Sequence, residues 1–165
     1  MVLEGLIPDE TNVQSIAYNM DVDAYLIILF LPSVHNVCSQ AQLKEFRKHY
    51  TKFTDYGCRV LALTTDQRQD FDWFVKTYGL QFEIVNPIID DLITKFNVLG
   101  PKIDNGLLSK VFRRKTIVLN NKIEVLVEFT SIIPIKPAQE VLNWVTMNMT
   151  SEPLDLSDSA REISY

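Results

Sequence analysis

Two cysteines and five glycines in 165 residues exclude several architectures at once. Two thiols cannot build a disulfide scaffold, nor by themselves a metal site. No glycine-rich phosphate loop exists, so a dedicated nucleotide site has no support. Long apolar runs are missing too. The longest, Tyr25 to Pro32, falls far short of the roughly 20 residues a membrane helix needs. Met1 to Asn19 has neither a basic stretch nor an apolar stretch, so a secretory leader is not expected. Positive charge is in deficit, with 16 Lys and Arg against 21 Asp and Glu, a net charge of −5. So acidic a chain is a poor general nucleic-acid binder. These features lead us to expect no nucleic-acid or membrane partner, no cofactor, no metal, and free thiols in a reducing compartment. That compartment is the cytoplasm, with the nucleus as the alternative.

What is present is the balance of a globular protein, 47% hydrophobic and 22% charged. The length suits one domain, assigned to residues 1–150. Residues 151–165 are Ser- and acid-rich, with four acids against Arg161 and a net charge of −3. They read as a mobile tail.

Strands and helices alternate along the domain. Tyr25 to Leu31 is apolar at every position, the pattern of a strand buried on both faces. Leu43, Phe46, Tyr50 and Phe53 then recur as one stripe of a single amphipathic helix. Val60 to Leu63 is a second strand. Phe71, Phe74, Val75 and Tyr78 mark a second helix, closed by Gly79. Phe82 to Val85 is a short strand, and Ile88, Ile89, Leu92, Ile93 and Phe96 mark a third helix. Leu99 to Ser109, with Gly100-Pro101 and Asn105-Gly106, is expected to be a loop. Lys115 to Leu119 and Ile123 to Phe129 read as a hairpin around Asn120-Asn121, with Ile123, Val125, Val127 and Phe129 on one face. Pro137 opens a last helix that buries Val141, Leu142 and Val145. The order implies an α/β fold with a mixed central sheet and helices on both faces.

In such sheets ligands meet the carboxyl ends of the parallel strands. After the first strand come Pro32, Ser33, Val34, His35 and Asn36, with Asn36 a reasonable N-cap. Cys38 then falls in the first helical turn, where free N–H groups and the helix dipole favour a thiolate. A small buried hydrophobe is the competing reading for a free cysteine. Arg114 shares a strand face with Phe112, Thr116 and Val118, and an arginine among apolar neighbours needs an anionic partner or an exposed end. If its strand runs antiparallel beside the first one, Arg114 meets Cys38 at one sheet edge across 76 positions. Arg113, Arg114 and Lys115 also read as a solvated basic patch or a weak nuclear-import signal.

The stretches ILFLPSVHNVCSQAQLKEFRKHYTKF, YGCRVLALTTD, DFDWFVKTYGLQFEIVNP and RKTIVLNNKIEV resemble, in order, segments of the peroxiredoxins. The likeness is to the alkyl-hydroperoxide-reductase and thiol-specific-antioxidant branch of the thioredoxin fold. It spans about Tyr25 to Val145 and implies a thioredoxin-like three-layer sandwich. It places Cys38 at the peroxidatic cysteine and Arg114 at the arginine that polarises the peroxide. It also makes Pro32, Asn36 and Val37 substrate-pocket residues. The loop departs from the family pattern. Pro32 stands six residues before the cysteine where the family has seven, and His35 replaces a threonine or serine. His35 is therefore the third catalytic candidate, as a hydrogen-bond donor. Position three after the cysteine is Ala41, flanked by Gln40 and Gln42.

Cys58 is no usual resolving cysteine and reads as a buried structural thiol. The resemblance thus implies a one-cysteine thiol peroxidase for hydrogen peroxide or organic hydroperoxides. It would draw on an external thiol such as thioredoxin or glutathione. Homodimers are common in the family, though no residue identifies an interface. The altered loop and acidic tail favour another class, a degenerate peroxiredoxin fold kept as a protein-interaction module. A disulfide exchanger lacks the second cysteine of Cys-x-x-Cys, since Ala41 occupies that place. His35, Cys38 and His49 are too few ligands for zinc.

Overall fold

The computed structural model describes residues 10–130 and 136–149. In chain order these form β1 (Glu10–Thr11), α1 (Val13–Tyr18), β2 (Tyr25–Phe30), α2 (Val37–Lys48), α3 (Tyr50–Asp55), β3 (Cys58–Leu63) and α4 (Arg68–Tyr78). They continue as β4 (Glu83–Pro87), α5 (Asp91–Lys95), β5 (Leu99–Asp104), β6 (Leu107–Phe112), β7 (Lys115–Asn120), β8 (Val125–Phe129) and α6 (Pro137–Met149). The acidic tail lies outside the described residues.

The two-faced strand is the centre of the molecule. Leu26 to Leu31 are all fully buried, and alternate residues enter two separate cores. Ile27, Leu29 and Leu31 pack with Leu43 and Phe46 of α2, Phe53 of α3, Phe74 of α4 and Val141 of α6. Leu26, Ile28 and Phe30 pack with Val13 and Ala17 of α1, Ile93 of α5, and Phe96 and Phe112. The result is three layers, because a strand apolar at every position must be covered on both sides. Each such side chain stabilises the fold by about 1.5–3 kcal/mol relative to exposure.

The sheet order is β1-β4-β3-β2-β7-β8. β2 runs parallel to β3 and antiparallel to β7, with Phe30 opposite Lys115. The carboxyl end of β2 therefore sits beside the start of β7.

Five expectations are corrected. The stripe from Leu43 to Phe53 belongs to two helices, because the chain breaks at His49 (φ −103°, ψ 8°). Ile88 and Ile89 stay exposed outside α5, which begins only where the Asp90 carboxylate accepts the Ile93 N–H at 3.1 Å. The expected loop at Leu99 to Ser109 is the β5–β6 hairpin, with Gly100 and Pro101 inside β5. Only Asn105-Gly106 turns there, with φ of 53° and 80°, which suits the tight turn of a two-residue hairpin. Finally, a register shift between Val118 and Leu119 breaks the alternation of the next hairpin. Ile123 (φ 65°) packs in the core opposite to the one that Val127 and Phe129 join. Phe112 likewise belongs to β6 and the far core, so it does not share a face with Arg114.

Candidate active site

β2 delivers the chain to a short loop that is held from the side. The Asp66 Oδ2, just past β3, accepts from Ser33 Oγ at 3.1 Å and Val34 N–H at 2.7 Å. Val34 is buried in the core, so the loop is pinned by both a carboxylate and an apolar plug. Asn36 then adopts extended geometry and caps α2. Its Oδ1 accepts from the N–H of Cys38 at 2.9 Å and of Ser39 at 3.2 Å. Cys38 is thereby the second residue of the helix, partly exposed and a free thiol.

Arg114 reaches this helix start from the other side of the sheet junction. Its Nη2 donates to Asn36 Oδ1 at 3.0 Å. Its Nη1 donates to Ser39 Oγ at 3.1 Å and Gln42 Oε1 at 3.0 Å. Gln42 passes the connection on, its Nε2 donating to Thr116 Oγ1 at 3.1 Å. Ser39 and Gln42 are 0% and 2% exposed, so the Gln42–Thr116 bond is buried and the Arg114 bonds to Ser39 and Gln42 are partly so, while the bond to Asn36 is exposed. Burial lowers the Arg114 pKa from its usual value, and the adjacent Cys38 acts in the opposite direction.

The structure thus brings Cys38, Asn36 and Arg114 together. It places the other candidates apart. His35 Nε2 lies 3.5 Å from Asp70 Oδ1 in the first turn of α4, with 66% of its side chain exposed. No bond joins it to the Arg114 network among the described residues, so Asn36 and not His35 connects the loop to the arginine. Val37 is 78% exposed on the outside of the helix start. Pro32 lines an open cleft of about 600 Å³ together with Asn97, Arg113, Arg114, Lys115 and Thr130, whereas Asn36 and Val37 do not. Cys58 is 4% exposed, and burial pushes its thiol up to about 12. Gln40 donates to the Val34 carbonyl at 3.1 Å, bracing the loop.

Sequence reasoning missed the roles of Ser39, Gln42, Thr116 and Asp66. One signal was available: Ser39, Gln42, Leu43 and Phe46 follow the 3-1-3 spacing of a single helix face. Two polar residues on the buried face of a helix need partners inside the fold. His49 pairs with Glu45 at 3.7 Å, and the described residues contain no group of three or more His, Cys, Asp or Glu able to hold a metal ion. No helix among them is long and apolar enough to cross a membrane.

A cysteine at a helix start, backed by an arginine from an antiparallel neighbour strand on a three-layer thioredoxin-like fold, defines a class: the thiol proteins built like peroxiredoxins. The AhpC/TSA family matches residues 8–127, and the chain belongs to it. That membership associates the chain with thiol-dependent peroxide reduction in general. No curated protein matches the sequence. Solved structures show the same fold. The bacterioferritin comigratory protein of Xanthomonas campestris is 20% identical with a TM-score of 0.66, over 77% of this chain and 80% of that one. Peroxidoxin BcpB of Mycobacterium tuberculosis is 17% identical with a TM-score of 0.64, over 75% and 79%. AhpC of Mycobacterium bovis is 18% identical with a TM-score of 0.62, over 82% and 74%.

Proposed function

We propose that the protein is a thiol peroxidase of one-cysteine type with Cys38 as nucleophile. The observation that carries this reading is the Arg114 guanidinium, tied to the cap of the helix that bears Cys38. The Cys38 thiolate attacks one peroxide oxygen. The O–O bond breaks, sulfur gains that oxygen as sulfenic acid, and the departing oxygen takes a proton and leaves as water or alcohol. Arg114 and the positive end of the α2 dipole stabilise the charge that moves onto the departing oxygen, the Cys38 and Ser39 N–H groups being already engaged by Asn36. An external thiol, thioredoxin or glutathione in kind, condenses with the sulfenic acid to a mixed disulfide and water. A second thiol then releases Cys38. Cys58 takes no part, because it is buried and its thiol holds its proton. The reading includes a reducing compartment such as the cytoplasm, and leaves a homodimer as a further proposal resting on family likeness alone.

A titration tests it. One equivalent of hydrogen peroxide per chain should be consumed, with one sulfenic acid trapped on Cys38 and none in Cys38→Ser. The second reading, a degenerate fold serving as an interaction module, is favoured by one observation: Arg114 already spends its bonds on Asn36, Ser39 and Gln42. Peroxide left unconsumed in that titration would establish it over the first.

A further inference from the structure

Arg113 and Arg114 are adjacent and have opposite fates. The Arg114 guanidinium turns inward to Asn36, Ser39 and Gln42. Arg113 is exposed, and among the described residues its guanidinium has no ion pair or hydrogen bond. Its stem nevertheless lies close against β5. Arg113 N–H donates to the Val98 carbonyl, which ties the backbone to the approach of β5. The side chain then lies across Gly100: a Cβ at that position would stand 3.0 Å from Arg113 Nε and 3.2 Å from Cγ. The glycine leaves the room that the arginine stem occupies.

This guanidinium borders the 600 Å³ cleft that also has Pro32 and Arg114 in its wall. The cleft therefore shares Pro32 and Arg114 with the candidate active site, although Cys38 is not in its wall. The third cation there, Lys115, is already spoken for: its Nζ donates to the Phe96 carbonyl at 3.0 Å and meets Glu128 at 3.3 Å. Among the described residues, Arg113 is the one cation of the cleft whose side chain makes no hydrogen bond or ion pair. Hydrogen peroxide is about the size of a water, whose share of liquid volume is roughly 30 Å³, so it needs little of this space. The cleft instead falls in the range of roughly 300–1,000 Å³ typical of small organic ligands.

We propose that this cleft is an anion-recognition subsite in which Arg113 binds the carboxylate of a small organic molecule reacting at Cys38. The inference deepens the peroxidase reading and rests on it. A guanidinium presents a planar fork that matches a carboxylate bidentately, which an ammonium does not. One fork in a cleft of this size suits a single carboxylate group better than a polyanion such as a polyphosphate, which the net charge of −5 also repels. Two sources supply such a carboxylate: an organic hydroperoxide acid in the oxidation step, or a carboxylate-bearing thiol such as glutathione in the reduction step.

The two steps are measured separately in wild type, Arg113→Ala, Arg113→Lys and Gly100→Ala. Oxidation of Cys38 is followed with a hydroperoxy fatty acid and with its methyl ester, each rate divided by the hydrogen peroxide rate. Reduction of the sulfenic acid is followed with glutathione and with neutral 2-mercaptoethanol. Wild type should prefer the charged reagent in one of the steps by roughly tenfold, the scale of one charge-assisted contact in a half-open site. The preference should vanish in Arg113→Ala, survive in part in Arg113→Lys, and fall in Gly100→Ala, which retains the charge but displaces it. The step that shows the preference identifies the source. Octanoate binding, read from amide chemical shifts around Arg113, needs no redox chemistry. Octanoate shifts lost in Arg113→Ala alongside an inert Cys38 would keep an anion site at Arg113 but end both the peroxidase reading and the claim that its ligand reacts at Cys38. A reactive Cys38 with no charge preference in either step and no octanoate shifts would overturn the subsite and leave the peroxidase standing.

Discussion

Arg114 Nη2 donates at 3.0 Å to Asn36 Oδ1, the same oxygen that receives the N–H groups of Cys38 and Ser39. One amide oxygen therefore both caps the helix that carries the thiol and anchors the cation that faces it, across 78 positions of sequence. A single side chain thus couples the position of the thiol to that of the charge, with Ser39 and Gln42 as the further anchors of the guanidinium.

Asn36→Ala should therefore fail twice. Loss of the cap costs about 0.5–2 kcal/mol, which lowers the melting temperature by roughly 1–8 °C for a chain of this size. Oxidation of Cys38 should also slow, because Arg114 loses one anchor. Asn36→Asp keeps the acceptor and should retain most of the stability. Calorimetry and stopped-flow oxidation of the three proteins check this.

Gln42→Leu should be costly although leucine fits a helix. It removes one of the two acceptors of Arg114 Nη1 and leaves the buried Thr116 hydroxyl without its donor. An orphaned buried group costs about 1–3 kcal/mol. Adding Thr116→Val should cost less than the sum of the two single changes, because the two residues share one bond. Urea unfolding of the single and double variants measures it.

Arg114→Ala should slow Cys38 oxidation by roughly a hundredfold or more, the usual loss when one stabilising donor is removed. His35→Ala should cost less than about threefold, and about 0–1 kcal/mol of stability, since its partner is an exposed Asp70. Second-order rates with hydrogen peroxide rank the two.

Cys58 predicts a pH effect on stability. Its thiol holds its proton up to about 12 in the fold, against 9.0 ordinarily. Between these values the folded state binds the extra proton, so this group's contribution is full below about 9 and is lost as pH rises. The loss runs to about 1.4 kcal/mol per pH unit. Cys58→Ala lacks the group, so the stability gap between wild type and variant should narrow from pH 8 to pH 10. Urea unfolding at both pH values reads the gap, and sulfenic-acid labelling should stay on Cys38 throughout.

Much of the fold was legible because burial writes itself into periodicity. Tyr25 to Leu31 has no polar face, and that alone requires a covered sheet and hence layers on both sides. The errors fell where local signals compete. Gly100-Pro101 reads as a turn, yet in a two-stranded hairpin a proline can sit in a strand without breaking a wider ladder. His49 looks like any surface residue of a continuous stripe, and the break there leaves Leu43, Phe46 and Phe53 in the same core.

The sequence by itself determined that Cys38 opens a helix behind a capping asparagine, because a cap and an apolar stripe are local patterns within ten residues. It also indicated that Arg114 needs an anionic partner or an exposed end, because a cation beside buried strand positions is costly to leave unpaired; the partners it has are the neutral Asn36, Ser39 and Gln42. Which partner it takes was decided only by the tertiary structure. The antiparallel register that sets Phe30 opposite Lys115 brings Arg114 over Asn36, Ser39 and Gln42. The same geometry turns His35 toward Asp70 and leaves Arg113 facing the cleft. Neighbouring arginines on one strand junction look alike in one dimension. Their different roles come from the sheet, whose two sides have different neighbours.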